Sequence, residues 1–289
     1  MARAKVFFSR TITPESVVKM YDALGVTLPG RVAVKLHSGE VGNQNFIRPD
    51  LLRSVIGHVN GVIVESNTAY AGKRGTSAEH WDTMRLHGWT DVADVDILDE
   101  DGDLELPIPD GVRIRRNFVG AHLSDYDSLL VLSHFKGHPM GGFGGALKNI
   151  SIGIASAHGK AYIHGAGNAD ETWSGEQDAF LESMADASKS IVDRFGSGRI
   201  AFVNIAMNLS ADCDCCAVAE DPQLADIGIL SSLDPVALDR ACVDLVYSSD
   251  DPGKKRLIER IESKNGVHTI HSAAKLGVGT LDYELVNVE

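Results

Sequence analysis

The sequence has no run of about 18 apolar residues, so no segment reads as a membrane-spanning helix. It is short of positive charge. Lys and Arg number 27 against 40 Asp and Glu, for a net charge of -13, and the acidic residues are scattered, densest at Asp94–Asp103. A nucleic-acid partner needs a basic face, so none is expected, and the charge reads as solubility. Cysteine is scarce. Cys213, Cys215, Cys216 and Cys242 are the four, and three of them fall within four residues, too close together to pair as a disulfide framework. The opening apolar run Val6-Phe7-Phe8 is followed at once by Ser9-Arg10 and does not read as a signal peptide, so a cytoplasmic location is expected. There is no internal repeat, no low-complexity linker and no Gly-x-x-x-x-Gly-Lys-Ser/Thr phosphate loop.

What is present is alternation. With 44% hydrophobic residues there is ample material for a core. Strand-like runs at 3–8, 31–36, 61–65, 127–133, 200–205, 226–230 and 281–288 interleave with helix-like runs at 14–24, 49–59, 77–87, 146–155, 177–195, 235–247, 254–263 and 268–275. Thr13-Pro14 and Asp234-Pro235 supply N-caps with proline at the first helical position. Between 92 and 122, Asp-Gly turns separate short strand candidates at Val92–Leu98, Leu104–Ile108, Val112–Arg115 and Phe118–His122. The pattern predicts an α/β fold with a mostly parallel central sheet and flanking helices. Residues 1–289 read as one domain, with a candidate lobe boundary at the glycines of 196–198.

In open parallel sheets ligands bind beyond the carboxyl ends of the strands. Four predicted strand ends carry reactive residues: Lys35 and His37; Glu65, Ser66 and Asn67; Ser133, His134, Lys136 and His138; and Asn208 before Asp212-Cys213-Asp214-Cys215-Cys216. Polar loops are ordinary, but four such ends together predict one composite site. The glycines Gly141, Gly142, Gly144 and Gly145 precede a predicted helix start. Bare amides there can hold an anion, with Lys148 one turn in and Asn149 beside it; tight turns explain the glycines about as well. His158 and His164 are further candidates to complete a metal shell, with surface or satisfied loop histidines as the alternative. The Cys-x-Cys-Cys run suits a soft metal, because crowded thiolates repel and a cation relieves the repulsion. Reduced thiols in a turn are the alternative, and Cys242 reads as a buried core residue.

The chain resembles a known family. Asn67-Thr68-Ala69-Tyr70-Ala71-Gly72-Lys73-Arg74, with Glu79-His80 and His87-Gly88-Trp89, is similar to one signature block. Ser133-His134-Phe135-Lys136-Gly137-His138 with Gly142-Phe143-Gly144-Gly145-Ala146-Leu147-Lys148-Asn149 is similar to a second. Cys213-Asp214-Cys215, Asp226-Ile227-Gly228-Ile229-Leu230 and Asp234-Pro235-Val236-Ala237-Leu238-Asp239 are similar to a third. The family is the one catalogued as domain of unknown function 362, often described as iron–sulfur-centre proteins. Many members carry a four-cysteine ferredoxin-type insert, which this chain lacks. The resemblance implies residues rather than a substrate, and Glu65 stands where the family carries a strand-end aspartate.

The expectation is a metal- or iron–sulfur-binding protein, a redox-type enzyme acting on a small anionic molecule with a redox partner. Its cofactor would be an iron–sulfur cluster or zinc, held by Cys213, Cys215, Cys216, His134 and His138. Lys35, Asn67, Lys136, Gly141, Gly142, Gly144, Gly145 and Asn149 would bind the anion, and Glu65, His138 and Lys148 would serve catalysis. Two alternatives stay open: a non-catalytic metal-handling or sensing protein, and a metal-free enzyme binding phosphate or carboxylate at the glycine loop.

Overall fold

The computed structural model describes residues 3–173 and 175–288. In chain order its elements are β1 (Ala4–Ser9), α1 (Pro14–Asp22), β2 (Val32–Lys35), α2 (Pro49–His58), β3 (Val62–Glu65), α3 (Ser77–Leu86), β4 (Val95–Ile97), β5 (Asp103–Pro107), β6 (Arg116–Gly120), β7 (Ser128–His134), β8 (Lys136–His138) and β9 (Gly142–Gly144). There follow α4 (Ala146–Ser151), α5 (Ala157–His164), α6 (Gln177–Phe195), β10 (Ile200–Ala206), β11 (Gly228–Ser232), α7 (Pro235–Ser248), α8 (Lys254–Ser263), α9 (Val267–Lys275) and β12 (Tyr283–Asn287). Eight strands form the main sheet in the order β12-β1-β11-β10-β7-β2-β3-β4. Only β11 runs against its neighbours β1 and β10; the other pairs are parallel. The fold is α/β with a mostly parallel sheet, and the carboxyl ends of β2, β3, β7 and β10 share one edge.

Period-two alternation sends side chains to two cores. Val32, Val34, Leu130, Leu132 and Val203 pack with Val17 and Met20 of α1 and Leu52 and Val55 of α2. Ala33, Leu129, Val131 and Phe202 pack on the other face with Leu147 and Ile150 of α4, Ile191 of α6 and Val236 of α7. A strand covered on both faces has no polar side, which is why β7 reads as a continuous apolar run. The helix starts follow from capping chemistry. Thr13 and Ser16 form a reciprocal capping box on α1, and the Asp234 carboxylate accepts from the Val236 and Ala237 amides at 2.9 Å each on α7.

Some predicted elements differ. Val112–Arg115 is not a strand: the amides of Val112, Arg113 and Ile114 donate to the Asp186 carboxylate of α6 at 2.8, 2.6 and 2.9 Å, so they have no ladder to join. The helix expected over 146–155 stops at Ser151, and a second one, α5, carries His158 and His164. The glycine loop holds a two-stranded hairpin, β8 with β9.

Candidate metal and anion site

The shared strand edge is cut by a cleft lined by Lys35, His37, Glu65, Ser66, Thr68, Tyr70, Arg74, His138, Lys148, Lys160, His164 and Cys215. A smaller recess shares His37 and Lys148 with it and adds Ser133, His134, Lys136, Gly144, Gly145 and Asn149. Three of the four predicted strand ends therefore meet directly, and the fourth contributes through the loop after β10, which carries Cys215.

At one end of the cleft, ligand atoms of His138, Cys213 and Cys215 all lie within 4.8 Å of one another. The loop enters this position because Gly137 leaves room for it: a Cβ there would sit 2.2 Å from the Ala211 carbonyl oxygen. Tetrahedral zinc at a Zn–S distance of about 2.3 Å sets its donors roughly 3.5–3.8 Å apart, so the group suits one ion after a small contraction. A cluster normally takes four cysteine thiolates. Cys216 is half-buried outside the convergent group, and Cys242 lies in α7, accepting from the Asn204 side chain at 3.5 Å. The donor set fits a single soft ion better than an iron–sulfur cluster. Burial pushes the Cys213 thiol up to about 11, so a metal must displace its proton.

His138 imposes a condition. Its Nδ1 accepts from the Gly141 amide at 2.9 Å and the Met140 amide at 3.2 Å. The neutral ring therefore carries its proton on Nε2, which points at the Cys215 sulfur, 3.8 Å away. In most metal sites the non-ligating nitrogen donates instead. A metal on Nε2 requires these two amides to release Nδ1.

His134 is not part of the metal group, contrary to expectation. Its Nδ1 meets the Asp214 carboxylate at 2.8 Å and its Nε2 the Met207 carbonyl at 2.7 Å, leaving no free nitrogen. Asp214 also takes Lys136 at 3.1 Å. Burial alone would raise the Asp214 pKa, but His134 and Lys136 outweigh it and hold the carboxyl far below the usual range.

Several of the amides expected to hold an anion are likewise committed. Gly141 bonds His138, Gly142–Gly144 pair with β8, and the Ala146 and Leu147 amides at the start of α4 donate to the buried Asp239 carboxylate at 2.7 and 2.9 Å. The glycine at 145 lets that carboxylate in, since a Cβ would lie 2.4 Å from it. Asn149 bonds the Leu132 carbonyl and the Ser133 hydroxyl. Asn67 stands behind the cleft, tied to Asp99, Ser77 and His80. Glu65 is a fixed anion rather than a proton carrier near neutrality. Burial would raise it, yet Lys35 at 2.6 Å, with His80 and Arg74 beyond, holds it at about 2.

An anion is instead invited by uncompensated side-chain charge. Five basic side chains, Lys35, Arg74, Lys136, Lys148 and Lys160, line the cleft and recess. Glu65 pairs with Lys35, Glu40 with Arg74 at 3.2 Å, and Asp214 with Lys136. Lys148 and Lys160 have no carboxylate within ion-pair distance among the described residues. Arg74, Tyr70, Glu40 and Lys160 were not picked out by the sequence reading as site residues, whereas His164 was a candidate metal ligand and lines the cleft outside the metal group. Arg74 and Tyr70 sit in the first signature block, which was the available signal; Lys160 had none.

A mostly parallel α/β sheet with a polar cleft and a His-Cys-Cys group at its carboxyl edge is the class defined so far. The chain belongs to the family described as Domain of unknown function (DUF362), which matches residues 32–244. No curated protein matches it. Among solved structures, the lactate racemase apoprotein from Thermoanaerobacterium thermosaccharolyticum is 15% identical, over 71% of this chain and 51% of its own, with a TM-score of 0.42. A protein from Thermotoga maritima is 12% identical, over 91% of this chain and 58% of its own, with a TM-score of 0.44. The chain thus spans less than two thirds of either. No helix among the described residues is long and apolar enough to cross a membrane.

Proposed function

We propose that this protein binds one soft metal ion through His138, Cys213 and Cys215 and holds a small anionic substrate in the adjoining cleft, as a metal-dependent enzyme. The observation that carries the reading is that two of the three converging donors, His138 and Cys215, line a cleft in which Lys148 has no carboxylate partner among the described residues. A binding or sensing protein needs the donors but not the cleft, so the cleft favours catalysis. A zinc ion there would act as a Lewis acid toward a substrate oxygen; iron in the same shell would make the centre redox-active. An iron–sulfur cluster has less support, for want of a fourth thiolate in the group.

The test is metal uptake by anaerobically prepared protein offered zinc, or iron with sulfide, in wild type and in Cys213→Ser/Cys215→Ser. Wild type should take up about one equivalent of zinc and lose hydrogen-exchange protection at the Gly141 amide as Nδ1 is released. Equal uptake by the double variant would sink the metal reading, and an absorbing cluster with inorganic sulfide would replace the single ion. For the anion, Lys148→Ala should abolish the rise in thermal midpoint that phosphate or a small carboxylate gives wild type. An unchanged rise would remove Lys148 from the site.

A further inference from the structure

Lys160, like Lys148, is a cleft residue that neither the metal group nor an ion pair uses among the described residues. It lies in the second turn of α5, where Ser156 caps the helix by accepting from the Gly159 amide at 3.0 Å. The side chain is buried, 6% exposed, and lines the cleft. Its Nζ donates to two backbone carbonyls, those of Ala155 and Ser66, the latter at 3.4 Å. An ammonium has three N–H groups and a neutral amine has two plus a lone pair. Two carbonyl acceptors match the neutral amine and leave its third tetrahedral direction for a lone pair. The charged groups around it are Asp99, Lys35, Glu65 and Arg74. Glu65 and Arg74 are already paired, and Asp99 receives the amides of Asn67 and Ala157 at 2.9 Å each.

We propose that Lys160 is a nucleophilic amine that forms an imine with a small oxo acid, whose carboxylate is held by the cations of the cleft. The proposal rests on the anion reading above and names its substrate class. A neutral, desolvated lysine beside cationic groups is the form that attacks carbonyl carbon. Burial, with Lys35 and Arg74 adding repulsion against the pull of Asp99 and Glu65, brings Lys160 down to about 7. The step balances within protein and substrate. The Nζ lone pair attacks the carbonyl carbon and a C–N bond forms. The two amine hydrogens leave with the carbonyl oxygen as water, and the carbon keeps its oxidation level. The product imine is conjugated to the carboxylate-bearing carbon, and its protonated form withdraws electrons from the adjacent bonds.

The experiment uses the full chain with pyruvate and sodium cyanoborohydride at neutral pH, followed by peptide mapping. Reduction should fix an adduct on the peptide containing Lys160, adding the mass of the acid less one oxygen. The adduct should form there on the order of 10²-fold faster than on any exposed lysine, whose amine is almost wholly protonated at that pH. Acetone, which lacks the carboxylate, should give little, and Lys160→Met should give none at the site. If that variant does not fold, the residue-level map of wild type decides alone. A thermal midpoint raised by pyruvate without an adduct, or an adduct spread evenly over exposed lysines, would overturn the imine and leave the anion reading standing. Neither stabilisation nor adduct would overturn both.

Discussion

Asp214 lies between Cys213 and Cys215 in sequence and has different partners in space. Its neighbours belong to the His138-Cys213-Cys215 group, while its carboxylate, 1% exposed, joins His134 and Lys136. Removing one partner of a buried ion pair leaves a desolvated charge, which costs about 3–5 kcal/mol. Asp214→Ala should therefore lower urea stability by that amount through the stranded Lys136. Asp214→Ala with Lys136→Met should recover much of the loss, since the second change removes the stranded charge. Equal stability of the single and double variants would show that Lys136 finds water instead. This residue scale is where sequence reading was least able to assign roles. Residue type announced that His134, Lys136, Cys213 and Cys215 matter. Only the fold decides that His134 spends both nitrogens on Asp214 and Met207 while His138 keeps Nε2 toward a thiol. Lys160, in Ala157-His158-Gly159-Lys160-Ala161, carries no pattern at all; its burial is a property of where α5 lands.

At the scale of elements, α4 is held by a residue far along the chain. It has six residues and no side-chain cap of its own, too short to be stable unaided. Asp239 of α7 takes its first two amides, and Asn204 of β10 donates to the same carboxylate at 2.7 Å. Asp239→Ala leaves three buried donors unpaired and should cost roughly 2–4 kcal/mol, combining a lost cap with unmet polar groups. Hydrogen exchange should quicken first at 146–151, ahead of β7 and β10. Uniform loss of protection across the sheet would mean that Asp239 supports the whole fold instead. Elements with strong local rules were legible in the sequence: α6 spans Gln177–Phe195 as its apolar period dictated, and α7 begins at Asp234-Pro235 as its cap dictated. Elements set by a distant partner were not. Asp186 takes the amides that would have made Val112–Arg115 a strand, and β8–β9 hides among glycines that carry no strand propensity.

For the whole molecule, alternation was enough to foresee one sheet with four polar strand ends on one edge, because parallel pairing follows from β-α succession. It could not foresee that an acidic chain gathers its buried cations at that edge, with buried histidines among them. Burial holds His80 at about 3, and His138 and His164 at about 4. For His164, burial outweighs its hydrogen bond to the Lys160 carbonyl, and Lys148 and Lys160 add smaller repulsions. An unfolded histidine titrates near 6.5. Between that value and about 4 the unfolded chain takes up protons that the folded chain refuses. Stability from these groups is thus full above about pH 6.5 and is lost as pH falls toward 4, each contributing up to about 1.4 kcal/mol per pH unit. Asp239, raised by burial to about 6, acts in the opposite sense, since its folded form binds the proton first. The His122 ring, raised by the hydrogen bonds it donates to the Asp96 and Asp101 carboxylates, does the same. The histidine contribution is isolated by His164→Phe, because the ring already stacks on Phe180 at 4.7 Å and an aromatic of similar size keeps that contact. Urea unfolding at pH 6 and pH 5, without metal or anion, should show the variant losing about 1.2 kcal/mol less than wild type across that unit. Parallel losses in the two proteins would mean that His164 is protonated in the folded state, and that the cleft holds one more positive charge at pH 5 than its burial allows.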